Sequence, residues 1–154
     1  MKALFLTFHG FHATNGISKK IHYQVRALEA NGVETHLCYL SEKQGIKYRM
    51  LDQEILADYG DGIKGKLYKR FEFNSVFRYI IKNQIDLVYI RSDHNANPFT
   101  IRLVSKIKKA GIHVVMEIPT YPYDQEYILS KGKIQLLIDK CFRKQLAKYL
   151  DRII

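Results

Sequence analysis

Short apolar runs alternating with amphipathic stretches predict an α/β chain: a Rossmann-like, three-layer α/β/α domain with a mostly parallel sheet. Three observations underlie this. Residues 3–8, 33–40, 86–91 and 112–118 are short, predominantly apolar runs, the pattern of strands covered on both faces. Helical periodicity separates them, beginning with Ile17, Ile21, Val25 and Leu28 at i, i+4, i+8 and i+11. Asn31-Gly32 and Ala110-Gly111 then supply glycine stops just before a strand begins.

The first unit organises the rest. The run at 3–8 is too short for a core helix and rich in Leu and Phe, so it reads as a buried strand. A polar loop and Asn15-Gly16 lead into the first helix. A strand–loop–helix turn of this kind aims backbone N–H groups and the positive end of a helix dipole at an anion, often a phosphate. Gly16 would let the backbone approach such a ligand closely. The spacing is not G-x-G-x-x-G, so a nicotinamide fingerprint is not supported, and a ligand-free tight turn stands beside the phosphate reading.

Further along, 41–65 reads as a polar connection holding a short helix around Met50, Leu51, Ile55 and Leu56. Three glycines between Gly60 and Gly65 read as a flexible loop. Residues 67–83 predict one helix with Phe73, Val76, Phe77, Ile80 and Ile81 on its apolar face. Pro98 opens the next helix at a position where a missing N–H costs nothing. After a Tyr/Pro-rich loop, a long helix runs from about 126 or 133 to 149, with Ile134, Leu137, Ile138 and Cys141 as its apolar stripe. Residues 151–154 look like a strand barely begun, so the chain is expected to continue in a longer parent. The order is β-α-β-insert-α-β-α-β-α-β, without repeats, low-complexity tracts or linkers: one domain.

Composition narrows the partners. The 154 residues are 47% hydrophobic and 26% charged, ordinary values for a globular chain. The net charge of +10 is high and points to an anionic partner: nucleic acid, an anionic membrane surface or a phosphorylated substrate. No recognition-helix, RNP or zinc-finger signature occurs, so nucleic acid is not expected. Cys38 and Cys141 form no metal spacing and read as small hydrophobes in a reducing compartment. No signal peptide or membrane-length apolar run is present, which places the chain in the cytoplasm or peripherally on a membrane. Residues 131–152 hold seven Lys/Arg against two Asp, with Lys140, Lys144 and Lys148 in a row that is either solvated or held near lipid headgroups.

The joint order of these motifs resembles the N-terminal domain of family-4 retaining glycosyltransferases of the two-Rossmann-domain (GT-B) type. The resemblance rests on the opening strand, Asn15-Gly16-Ile17, Ala30-Asn-Gly-Val-Glu-Thr-His-Leu37, Ile85-Asp-Leu-Val-Tyr-Ile-Arg91, Gly111-Ile-His-Val-Val-Met-Glu117 and Tyr149-Leu-Asp-Arg-Ile-Ile154. Glu117-Ile-Pro-Thr-Tyr-Pro-Tyr123 looks like a variant found among polysaccharide-assembly members. The resemblance implies that 1–154 is the acceptor-side domain and that the domain gripping the nucleotide sugar, with its paired glutamates, is absent. It further implies that Asn15 and Gly16 face the donor phosphates and that His9, His12, Arg91, Asp93, His94, Glu117, Thr120, Tyr121 and Tyr123 are acceptor-site candidates. Many members carry a His just after the strand matching 114–118; Pro119-Thr120 stands there instead, so no catalytic residue transfers.

Read as residues, these candidates keep their alternatives. His9 and His12 suit acceptor hydroxyls or a phosphate, or equally a solvent-facing loop, and no third ligand supports zinc. Arg91, Asp93 and His94 suit an acid/base or phosphate-contacting cluster, or a surface ion pair. Tyr121 and Tyr123 between prolines suit a rigid loop showing aromatic faces to a sugar, or a loop core. Glu117 at the end of a buried strand is a site residue or an anchor for a backbone N–H.

The expected function is therefore retaining transfer of a sugar, without a metal or cofactor, from a nucleotide-diphosphate sugar to a glycan or lipid-linked acceptor in surface polysaccharide synthesis. This chain alone is expected to be inactive. The alternatives are a free-standing flavodoxin-like module binding a phosphorylated small molecule and, less favoured, a nucleic-acid-associated domain.

Overall fold

The computed structural model describes residues 1–11, 15–91, 96–119 and 133–154. Seven strands make one sheet: β1 (Lys2–Gly10), β2 (Glu34–Lys43), β3 (Ile46–Leu51), β4 (Glu54–Gly60), β5 (Leu87–Arg91), β6 (His113–Glu117) and β7 (Arg152–Ile153), in the order β4-β3-β2-β1-β5-β6-β7. Among the described residues five helices accompany them: α1 (Gly16–Ala30), α2 (Gly62–Phe71), α3 (Asn74–Lys82), α4 (Pro98–Lys109) and α5 (Lys133–Ala147). The β2-β1-β5-β6-β7 block is parallel, and β3 and β4 extend it antiparallel at one edge. The α/β class and mostly parallel sheet expected from the sequence are present.

Side-chain alternation along β1 builds both layers. Leu4 and Leu6, with Val88, Ile90, Val114 and Met116, meet Val76 and Ile80 of α3, Ile101, Val104 and Ile107 of α4, and Leu146 of α5. Phe5 points the other way and, with Leu37, takes Ile21 and Val25 of α1. Leu4, Leu6, Leu37, Val88, Ile90 and Val114 are buried as the strand pattern requires; Val115, expected in the interior, is only partly covered. Asn15 caps α1 by accepting from Ile17 N at 2.9 Å, and Asn97 caps α4 by accepting from Phe99 N and Thr100 N. Pro98 sits in the first turn of α4, as expected.

The insert differs from expectation. Met50, Leu51, Ile55 and Leu56 do not share a helix; they flank the turn of a β3–β4 hairpin. Gln44 (φ 51°) and Gly45 (φ 82°) turn β2 into β3, the left-handed pair that suits a two-residue hairpin. Asp52 (φ 52°) begins the second turn, held by Leu37 N donating to its Oδ1 at 2.8 Å. The glycine-rich stretch is likewise no flexible loop: it ends β4 and begins α2. A Cβ on Gly65 would lie 2.2 Å from Gly60 O, so a glycine is what lets α2 lie against the hairpin.

The expected helix at 67–83 is broken in two. Glu72 ends α2 and caps α3, its Oε1 accepting from Asn74 N and Ser75 N and its Oε2 from Ser75 Oγ at 2.8 Å. The phase of α5 also differs. Ile134, Leu137, Ile138 and Cys141, expected inward, are exposed, and Asp139 and Leu146 are buried. Asp139 turns in because its carboxylate accepts from Ala96 N at 3.0 Å while pairing with Arg143. Among the described residues no helix is long and apolar enough to cross a membrane.

Candidate functional site

The five parallel strands reverse their order between β1 and β5. In open α/β sheets, ligands bind outside the carboxyl ends of the strands at this switch point. Register places Thr7 of β1 beside Arg91 of β5, and Arg91 beside Glu117 of β6, in one row across the carboxyl ends. One row below, the Phe5 and Tyr89 rings stack at 4.7 Å. Helix α1 covers this face and adds Lys20 and Gln24, one helical turn apart.

These side chains form one network around Glu117. Arg91 Nη1 donates to Glu117 Oε1 at 2.6 Å and to Gln24 Oε1 at 3.3 Å. Gln24 Nε2 and the Tyr89 hydroxyl both donate to Glu117 Oε2 at 3.1 Å. Lys20 Nζ reaches Glu117 Oε1 at 3.4 Å from a mostly solvated position. Burial alone would push the Glu117 carboxyl up; the Gln24 amide, Arg91 guanidinium, Tyr89 hydroxyl and Lys20 outweigh it and hold it below the usual carboxylate range. Burial, with the Glu117 charge and hydrogen bond, pushes the Tyr89 phenol up to about 12. The site thus holds a carboxylate gripped by several donors, a guanidinium aligned by it, and an ammonium at its solvent-facing rim.

Thr7 adds a different kind of group. It is fully buried, and its Oγ1 has no hydrogen-bond partner among the described residues. Its carbonyl is held from the opposite side by Arg49 Nη1 at 2.8 Å. Arg49, also fully buried, lies over the Phe8 and Phe73 rings, 5.9 Å from the centre of each, and donates to the Tyr59 hydroxyl. That cation ties the edge hairpin to the carboxyl end of β1.

The sequence candidates divide as follows. Arg91 and Glu117 are brought together. Glu117 is gripped by side chains, not by the backbone N–H that one reading gave it. Asn15 and Gly16 stand exposed at the start of α1, one turn before Lys20. Among the described residues, nothing beyond its own neighbours and helix lies within 4 Å of a Cβ built on Gly16, so the described structure does not demand glycine there. His9 lies half-buried near the end of β1. His12, Asp93, His94, Thr120, Tyr121 and Tyr123 lie outside the described residues.

Sequence reasoning missed Lys20, Gln24, Tyr89 and Thr7. Lys20 and Gln24 look like the solvated face of an amphipathic helix, and Tyr89 and Thr7 look like strand filler. The available signal was the period of two: it puts Leu87, Tyr89 and Arg91 on one face of β5, opposite Val88 and Ile90. Among the described residues no group of three or more His, Cys, Asp or Glu converges as a metal site would require. No protein-family profile matches the chain, and no curated protein matches it.

Proposed function

We propose that this chain is the acceptor-side half of a retaining glycosyltransferase, moving a sugar from a nucleotide-diphosphate donor to a glycan or lipid-linked acceptor. The observation that supports it most is the row Thr7–Arg91–Glu117 at the switch point, beside the exposed start of α1. No acidic residue occupies the first turn of α1, so none within the helix cancels the positive end of its dipole. In this reading, Asn15 and Gly16 border the donor diphosphate, and Lys20 supplies a mobile cation as negative charge develops on the leaving phosphate. Glu117 keeps Arg91 in place, and Arg91 positions the acceptor side of the crevice.

Transfer gains most of its rate from holding two substrates together, and this chain supplies one wall. Alone it should bind a nucleotide sugar no tighter than roughly millimolar, about −4 kcal/mol, and turn over none. Titration with uridine-diphosphate glucose and inorganic phosphate, followed by donor-consumption assays, tests this. Turnover by the chain alone would overturn the half-enzyme reading. Micromolar binding of a phosphorylated small molecule without turnover would favour the competing reading, a flavodoxin-like binding module. Joined to a donor-binding half, the chain should turn over, and Gly16→Val should cripple transfer while leaving the fold intact.

A further inference from the structure

Helix α2 turns its apolar side outward. Gly65 packs against the hairpin, so Ile63, Leu67 and Phe71, at i, i+4 and i+8, face away, with the exposed Tyr68 beside them. Ile63 is 77% exposed and Leu67 52%. The Tyr68 and Phe71 rings meet at 5.4 Å, and Phe71 meets Phe99 at 5.4 Å, which carries the patch onto the first turn of α4. A helix ordinarily buries such a stripe, and a contiguous exposed one marks an interaction surface.

The charges within α2 itself are of one sign, between Asp61 before it and Glu72 after it. Lys64, Lys66, Lys69 and Arg70 lie within α2, and no acidic residue does. Lys64 Nζ sits 5.8 Å from the centre of the Tyr68 ring. Burial and the like charges of Arg70 and Lys47 hold the Lys69 ammonium below its usual range, with Lys66 adding to them and Glu42 opposing. The helix therefore pairs an apolar face with four cations and no carboxylate of its own.

We propose that this face docks on an anionic lipid bilayer, with Ile63, Leu67, Phe71 and Phe99 entering the headgroup region and Lys66 and Arg70 meeting lipid phosphates. The helix starts beside the end of β4, which runs parallel to β2, and finishes against the start of α4, which follows β5. It thus spans the carboxyl edge of the sheet, and docking would bring that edge to the lipid surface. The proposal rests on the acceptor-side reading only for what would be met there, a lipid-linked acceptor. The docking itself needs no nucleotide sugar and no transfer.

The chain has no tryptophan, so Leu67→Trp gives a single fluorescent reporter on the patch. Its emission should shift to the blue with vesicles of phosphatidylcholine plus phosphatidylglycerol, and far less with phosphatidylcholine alone. In that background, Lys66→Gln with Arg70→Gln should weaken vesicle binding by roughly thirtyfold, from the attraction lost per charge. Phe71→Ser with Phe99→Ser should remove the part of binding that survives high salt. Circular dichroism and thermal midpoints check that each variant folds, and the reporter reads the patch whether or not a double variant does. Three outcomes would overturn the proposal: no blue shift with anionic vesicles, equal binding to neutral ones, or binding that these variants spare and Leu137→Glu on α5 abolishes. So would reporter shifts that follow protein concentration and ignore lipid, which would assign the patch to contact between copies. Failure of transfer with intact vesicle binding would count against the acceptor-side reading alone.

Discussion

Arg91 Nη1 stands 2.6 Å from Glu117 Oε1, a nearly dry ion pair between neighbouring strands at the edge where the strand order reverses. Removing one partner of a buried pair strands the other charge. Glu117→Ala should therefore cost about 3–5 kcal/mol by urea unfolding. The double change Arg91→Met with Glu117→Leu should recover most of that loss, because apolar groups of similar volume need no desolvated charge. A double variant as unstable as the single would show that the pair stabilises the fold by more than mutual cancellation.

The same network sets two pH windows. The Glu117 carboxyl is held below its ordinary value of 4.5, so its contribution is present above that value and is lost as pH falls through the lower folded value. The Tyr89 phenol is raised from 10 to about 12, so stability present below pH 10 declines as pH climbs toward 12. Unfolding midpoints across pH should show a shallower acid limb in Glu117→Gln and a shallower alkaline limb in Tyr89→Phe. Residual slopes are expected, since Asp151 is also lowered and Tyr59 also raised. Limbs identical to those of the unsubstituted chain would refute the linkage.

Two glycines should answer differently to the same change. Gly65→Ala drives a methyl into Gly60 O and should cost about 1–3 kcal/mol as α2 is pushed from the hairpin. Gly16→Ala meets open space at the start of α1 and should leave the thermal midpoint unchanged or slightly raised. Equal destabilisation by both would contradict the packing described for α2.

Thr7 offers a way to separate folding from function. Replacing its buried, unpartnered hydroxyl by a methyl in Thr7→Val should leave stability unchanged or raise it by about 1 kcal/mol. If the hydroxyl serves a ligand at the switch point, the same variant should weaken nucleotide-sugar binding. A loss of stability on Thr7→Val would mean that the hydroxyl is satisfied in the folded chain.

The central strands were legible because their physics is local. β1, β5 and β6 are short apolar runs, and Asn83 and Gly111 mark where helices stop before β5 and β6. The hairpin was not, because Met50, Leu51, Ile55 and Leu56 satisfy a helical spacing as well as they flank a turn. The break at Glu72 was hidden for a similar reason: a capping carboxylate in an amphipathic run looks like an ordinary helix residue. On α5, apolar count favoured Ile134, Leu137 and Ile138 as the inner face, but the bonds that Asp139 makes to Ala96 and Arg143 decided the phase. Arg91 and Glu117 could be picked out as charges at the ends of apolar strands. Lys20, Gln24 and Tyr89 could not, since only the packing of α1 across β5 and β6 gives them a common centre.

The central position of β1 bears on how the chain acquires its structure during synthesis. Ala3 pairs with Thr35 on one side and with Leu87 on the other. The first pairing, and the hairpin that follows it, need only the first sixty residues. The second must wait for β5 to emerge, and at roughly 5–20 residues per second that delay lasts a few seconds. Through that interval one edge of β1 has no strand beside it, and Leu4 and Leu6 lack the layer that α3 and α4 later provide. The nascent chain should therefore be open to wrong pairing from the completion of β4 until β5, and then α4, arrive. Substitutions that weaken the β1–β5 seam should therefore lower the yield of folded chain more than their effect on the finished domain would suggest.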